Sequence, residues 1–270
     1  MRFAVNYSPA AARLYESGLI DVDLFKCPDF PEVVAAARMQ AEVYVHFPLE
    51  SGPGTTTVEQ LDEVAALAGD TGTRLINTHA YVRRRDYPAL DGHGGDTPEV
   101  LTSVIDRVVA DVAALCARFG PDRVIVENVI YTGREREDFL LPGVRAELLR
   151  EVIRQTGCGL LLDLSHARIS CQYADWEPWE YLDSLPVDRL RELHVTGLAE
   201  VGGVLTDHMP LTEGDLGFFS DAMRRVRSGA WATPEILAFE YGGVGPPFAW
   251  RTDPGVIAGQ VPMLRDLAQG

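Results

Sequence analysis

Apolar positions along the chain alternate between two textures: short β-rich runs and longer stretches at helical spacing. Eight runs read as strands, at 3–7, 22–25, 42–46, 74–77, 123–127, 159–164, 190–195 and 236–240. Between them, helical periodicity covers 31–39, 58–68, 98–119, 143–155, 176–185 and 216–226. The 98–119 segment is the clearest. Val100, Leu101, Val104, Ile105, Val108, Val109, Val112, Leu115 and Cys116 form one broad apolar stripe, and Thr97-Pro98-Glu99 is a good helix start. Eight strands mostly separated by helices predict an α/β protein, a single (β/α)8 TIM barrel occupying residues 1–270. A doubly wound open sheet is the alternative. Neither GxGxxG after the first strand nor GxxxxGK[ST] occurs, so neither phosphate-binding glycine loop is expected. The long loops at 82–96 and 130–141 are expected to cover one end of the barrel.

Composition narrows the function classes. The chain has 270 residues, 46% hydrophobic and 24% charged, which is globular and not disordered. Its formal net charge is −16, which disfavours nucleic acid and anionic membrane surfaces as partners. No run approaches the ~20 apolar residues of a membrane span, and the first residues do not read as a signal peptide. A cytoplasmic location is expected. Cys27, Cys116, Cys158 and Cys171 form no CxxC and are expected to be free thiols. Cys27 either faces a site or is a buried thiol.

The candidate chemistry lies at strand ends. Of six histidines, His46, His79, His166 and His194 close a strand or lie just past one, and His208 falls in the loop after the seventh strand. Only His93, in DGHGG, has no such position and reads as a solvated loop residue. Glu127, Asp163 and Glu240 also end strands. Singly, such residues are often structural: a hydrogen-bonded histidine, a helix cap, a salt-bridge partner. Together, at the carboxyl ends where barrel enzymes place their sites, they predict a metal centre. Imidazole and carboxylate without thiolate suit Zn, Fe or Mn. Eight candidate ligands exceed the needs of one ion; two or three ions about 3.5–4 Å apart would use them better, the alternative being a single ion with the remaining groups acting on substrate.

The order His46, His79, Glu127, Asp163-x-x-His166, His194, His208, Glu240 resembles the ligand order of the xylose isomerase-like barrel superfamily, endonuclease IV included. Here Asp207 directly precedes His208, where the endonuclease pattern is Asp-x-His. VENV at 126–129, LLLDLSHARISC at 160–171 and WEYLDSLPVDRLRELHVTG at 179–197 resemble the multinuclear non-heme iron-dependent oxidative enzymes. That family usually carries Asn at the position of His166. The resemblance implies two or three irons, O2, oxidative modification of a cysteine in a ribosomally made peptide, and often a partner protein presenting the peptide.

Three functions follow. The first is a multinuclear iron oxidase acting on a peptide cysteine or small thiol. The second is a sugar isomerase or epimerase, in which Glu127, Asp163, His194 and Glu240 hold one divalent ion, Glu127 and Glu240 double as acid and base, and His166 touches a substrate hydroxyl. The third is a phosphodiesterase. A compact basic cluster in a candidate site loop, Arg83-Arg84-Arg85, would serve it, or else is a solvated turn.

Overall fold

The computed structural model describes residues 1–88, 96–133 and 139–269. His93 and parts of both long loops lie outside the described residues. In chain order the strands are β1 (Arg2–Asn6), β2 (Leu24–Pro28), β3 (Val43–His46), β4 (Glu50–Ser51), β5 (Ile76–Ala80), β6 (Val124–Glu127), β7 (Gly159–Asp163), β8 (Leu190–Val195), β9 (Gly197–Val201), β10 (Val204–Met209) and β11 (Ile236–Phe239). All eight expected strands are present. The short β4 and the β9–β10 hairpin were not expected, nor were helices at Pro9–Glu16, Leu164–Ala174 and Pro254–Gln269. The chain divides into two compact units.

The first unit comprises Met1–His46, Ala68–Thr73 and Arg191–Gly270. Its strands run in the order β3-β2-β1-β11-β8, all parallel, with β8 contributing from Arg191 onward. The first strand of the chain pairs with the last, Phe3 beside Leu237 and Val5 beside Phe239. Every residue of β11 is buried, as expected for a parallel strand covered on both faces. The helix Glu213–Arg227 begins with a capping box, Thr212 and Asp215 each satisfying the other's backbone N–H.

The second unit comprises Phe47–Leu67 and Arg74–Leu190. Its strands run β7-β6-β5-β4, again parallel, and β6 and β7 are buried throughout. The helix Pro98–Phe119 matches the expected boundaries, with Val100, Val104, Val108, Val112 and Leu115 buried and Thr97 as its side-chain cap. Parallel pairing brings the carboxyl ends of all strands in a sheet to one edge. Register then decides neighbours, and His79 on β5 stands directly beside Glu127 on β6.

Within the first unit, β9 and β10 form an antiparallel hairpin whose register slips between Thr206 and Met209. His208 sits in this bulge with φ of 54°, the left-handed region that side chains other than glycine rarely adopt. The hairpin closes on Gly197, where an added Cβ would stand 2.0 Å from the Pro210 carbonyl oxygen. Gly197→Ala is therefore expected to cost about 2–3 kcal/mol by overpacking. Gly217, helical and open to solvent, is the control: Gly217→Ala is expected to gain about 0.5–1 kcal/mol. Urea denaturation of both variants checks the pair.

Candidate metal centre

In the second unit, four expected residues meet. Glu127 ends β6 with 2% of its surface exposed, so its charge needs close partners. Its Oε2 lies 3.1 Å from His79 Nε2, and its Oε1 lies 3.4 Å from His166 Nδ1. The tautomers follow from the other contacts. His79 Nδ1 is 3.0 Å from the Leu49 carbonyl oxygen, and His166 Nδ1 is 2.9 Å from that of Asn128. A carbonyl only accepts, so both Nδ1 atoms carry the hydrogen. In the neutral ring each Nε2 then presents its lone pair, His79 toward Glu127 and His166 toward Asp163 Oδ2 at 3.6 Å. A lone pair facing a carboxylate oxygen is repulsive unless a proton or a metal ion lies between them. Two donors bound at about 2.1 Å to one ion stand roughly 3 Å apart, so the His79–Glu127 spacing suits a shared ion.

Asp163 holds both roles that strand-end carboxylates offer. Its Oδ1 caps the helix Leu164–Ala174, accepting from Ser165 N at 2.7 Å and His166 N at 2.8 Å. Its Oδ2 turns toward the imidazole. That helix is why His166 sits beside Asp163: the expected loop after β7 is a helical first turn, and i to i+3 spacing stacks the two side chains. Asn128 fixes the arrangement. It accepts from Asp163 N at 2.8 Å and donates to the Asp163 carbonyl at 2.9 Å. Glu127, Asp163 and His166 each bring a ligand atom within 4.8 Å of the others.

In the first unit, His194 has the opposite tautomer. Its Nε2 lies 2.7 Å from Glu192 Oε1, and Tyr44 Oη donates to the same oxygen at 2.9 Å. His194 Nδ1 faces Glu240 Oε1 at 3.2 Å, and the Lys26 ammonium is ion-paired with that same oxygen. His46 ends β3 with its ring 5.4 Å from that of His194. His46, Glu192 and His194 also bring one ligand atom each within 4.8 Å. The bulge at His208 places its Nε2 3.7 Å from Asp207 Oδ2 and 4.0 Å from Glu240 Oε2. Adjacent residues thus approach each other where a regular strand would send them to opposite faces.

Three residues had not been singled out: Lys26, Tyr44 and Glu192. Glu192-x-His194 was a readable signal, since residues two apart on a strand share a face. Lys26 was hidden by the expected end of the second strand at 25, three residues before its observed end. Cys27 is inside β2 and fully buried, and burial pushes its thiol up to about 12. It is a buried thiol rather than a site group. Cys27, Cys116, Cys158 and Cys171 are all free of disulfides. Arg83 is forked onto Glu50 at 2.5 and 2.6 Å and lies over the Tyr81 ring. That pairing holds the Glu50 carboxyl below its ordinary range and commits the first guanidinium of the basic cluster to the protein itself. Among the described residues no helix is long and apolar enough to cross a membrane.

Residues 53–225 match the model of the family described as "RiPP precursor modification enzyme MbnB/TglH/ChrH". The chain belongs to this family. The matched span holds His79, Glu127, Asp163, His166, His194 and His208, while His46 and Glu240 lie outside it. Among curated relatives, the chain is similar to a UPF0276 protein of Acaryochloris marina, 27% identical over 156 residues, 58% of this chain and 51% of that protein. A UPF0276 protein of Caulobacter vibrioides is 38% identical over 101 residues, 36% of this chain and 33% of that protein. The chain thus spans about half the length, or less, of these relatives. Solved structures share the fold at low identity. D-psicose 3-epimerase from Clostridium cellulolyticum aligns with TM-score 0.59 and 10% identity, covering 100% of this chain and 98% of that one. A zinc-bound IOLI protein aligns with TM-score 0.59 and 13% identity, at the same coverage. A xylose isomerase domain protein from Alicyclobacillus acidocaldarius aligns with TM-score 0.56 and 13% identity, covering 100% and 99%. The family member thus has the α/β, xylose isomerase-like TIM-barrel fold, and carries candidate divalent-metal clusters.

The two roles of Asp163 are separable. Asn caps a helix as well as Asp, so in chelator-treated protein Asp163→Asn is expected to stay within about 0.5 kcal/mol of the parent, whereas Asp163→Ala loses about 1–2 kcal/mol. Urea denaturation without metal reads the difference. Equal losses would remove the cap.

Proposed function

We propose that this chain is a multinuclear non-heme iron oxidase that modifies a cysteine of a peptide, or a small thiol. The observation that carries the reading is two lone-pair contacts around Glu127: His79 Nε2 faces Glu127 Oε2, and His166 Nε2 faces Asp163 Oδ2, while Glu127, Asp163 and His166 each bring a ligand atom within 4.8 Å of the others. A carboxylate with one oxygen at His79 and the other in the Asp163–His166 cluster is suited to bridge two cations, and family membership supports a peptide substrate. The proposed ligands are His79, Glu127, Asp163 and His166 in the second unit, and His46, His208 and Glu240 Oε2 in the first, where His194 is a candidate donor whose facing oxygen on Glu240 already holds the Lys26 ammonium. The donor set, imidazole and carboxylate, fits iron, with zinc and manganese as alternatives. When bound, two or three such ions supply oxygen activation and a Lewis-acid seat for a thiolate sulfur.

The chain's own residues do the rest. The Leu49 and Asn128 carbonyls hold His79 and His166 in the tautomer that presents Nε2. Glu127, Glu240 and His166 are the proposed catalytic groups. Glu127 and Glu240 can take the proton of an incoming thiol, and His166, 14% exposed at its side chain, can touch the substrate. A partner protein that presents the peptide, and a cytoplasmic setting, belong to the same proposal.

The second reading, a one-ion sugar isomerase or epimerase, is favoured by the shared fold with the psicose epimerase. It leaves His46, His79 and His208 without roles. The phosphodiesterase reading is disfavoured by the net charge of −16 and by the Arg83–Glu50 pair.

Elemental analysis with an absorption spectrum, on protein purified without chelator, separates these. Two or more irons with visible absorption are expected; one manganese favours the isomerase, and three zincs the hydrolase. Glu127→Gln is expected to lose more than one ion, because the bridge serves two. Loss of a single ion with the others fully retained overturns bridging. His79→Ala is expected to lose about one ion and all oxygen consumption on a thiol peptide, while circular dichroism stays native. An unchanged metal count in that folded variant removes the multinuclear reading.

A further inference from the structure

The resemblance leaves the number of ions at two or three, and one buried cation of the chain bears on it. Lys26 lies mid-strand on β2 with its side chain 6% exposed, and its ammonium is ion-paired with Glu240 Oε1. Glu240 is itself 5% exposed at the side chain. The same oxygen faces His194 Nδ1 at 3.2 Å, while His194 Nε2 is engaged by Glu192. A carboxylate oxygen and an imidazole lone pair turned toward each other are a metal ligand pair in every respect but one: the positive charge on that oxygen is already there, supplied by the protein. A buried ammonium is tolerated only beside such a counter-charge, so it cannot be treated as a mobile surface group. Its place in the strand is also enforced. Lys26 pairs in register with Asn6 of β1 and Tyr44 of β3, and its carbonyl accepts from Tyr7 N at 2.8 Å.

We infer that the Lys26 ammonium stands in for a metal ion at the Glu240–His194 pair, and that it holds the ion count of this chain one below what its donor set would bind. Glu240 keeps Oε2, toward His208, for any other role. The second unit is different. There imidazole Nε2 atoms, with no ammonium among the cited partners, face Glu127 and Asp163, so an ion is the natural counter-charge. The inference deepens the metal-dependent reading, and it fails separately from it.

The test is zinc stoichiometry, measured by native mass spectrometry on the full chain, for the parent, Lys26→Met, Lys26→Arg and Lys26→Met/Glu240→Gln. Zinc alone is the probe, so no substrate or oxygen enters. Lys26→Met is expected to bind one more ion per chain than the parent. Lys26→Arg, which keeps the charge, and the double variant, which removes the carboxylate, are expected to gain none. The melting temperature of Lys26→Met should rise with added zinc by more than that of the parent, since zinc restores the missing charge. An unchanged stoichiometry in a folded Lys26→Met overturns the inference. Failure of that variant to fold even in zinc also overturns it. A parent that binds no zinc counts against the metal-dependent reading, while the Lys26 inference still stands or falls on whether Lys26→Met gains one ion over it.

Discussion

The constraint on which the centre depends is the cost of a carboxylate at the end of a buried strand. Glu127, Asp163 and Glu240 are each at most 4% exposed, and each ends or follows a strand whose flanks are apolar. Charges so placed need partners of comparable strength. The chain meets that need in several ways. Asp163 spends one oxygen on two backbone N–H groups of the following helix. Glu127 is approached by one imidazole at each oxygen. Glu240 takes the ammonium of Lys26. The cap of the helix after β7 and the burial of a lysine are consequences of where these acids stand.

Backbone carbonyls set the direction of the chemistry. Leu49 and Asn128 offer oxygens that can only accept, which forces Nδ1–H on His79 and His166 and turns Nε2 toward the carboxylates. A side-chain partner could rotate or change protonation; a carbonyl fixed in the chain cannot. His194 is set by a carboxylate instead, Glu192, itself held by Tyr44, and it presents the other nitrogen.

Much of this was legible in the chain. Strand ends were readable because each apolar run breaks at a residue that a buried parallel strand cannot otherwise hold, as in VIVE and GLLLD. The 98–119 helix was readable to the residue because its cap and its stripe agree. What escaped was governed by contacts distant in sequence or by a local exception to a period. The helix after Asp163 mixes Ser, His, Arg and Gln among its apolar residues, so its periodicity is weak, and its start rests on one cap. His208 needed a bulge and a left-handed backbone, which no alternation pattern announces. Lys26 falls just past the expected strand 22–25 and reads as a loop residue until β3 is known to pair alongside it, Lys26 beside Tyr44.

Lys26 also marks where likeness between relatives stops being informative. The match to the family model spans 53–225, and both Lys26 and Glu240 lie beyond it. That span holds the imidazoles and carboxylates of the second unit. A cation placed on a carboxylate outside it changes the electrostatics of the first unit, at the oxygen that faces His194. An ammonium and a metal ion are not equivalent cations: one donates hydrogens from a fixed stem, the other accepts lone pairs from several directions and polarises what it binds. Substituting one for the other preserves the charge balance that lets the strands remain buried while withdrawing a Lewis acid from the chemistry. On the inference drawn from Lys26, a single residue on the second strand decides whether the Glu240–His194 pair of this chain can hold a Lewis acid.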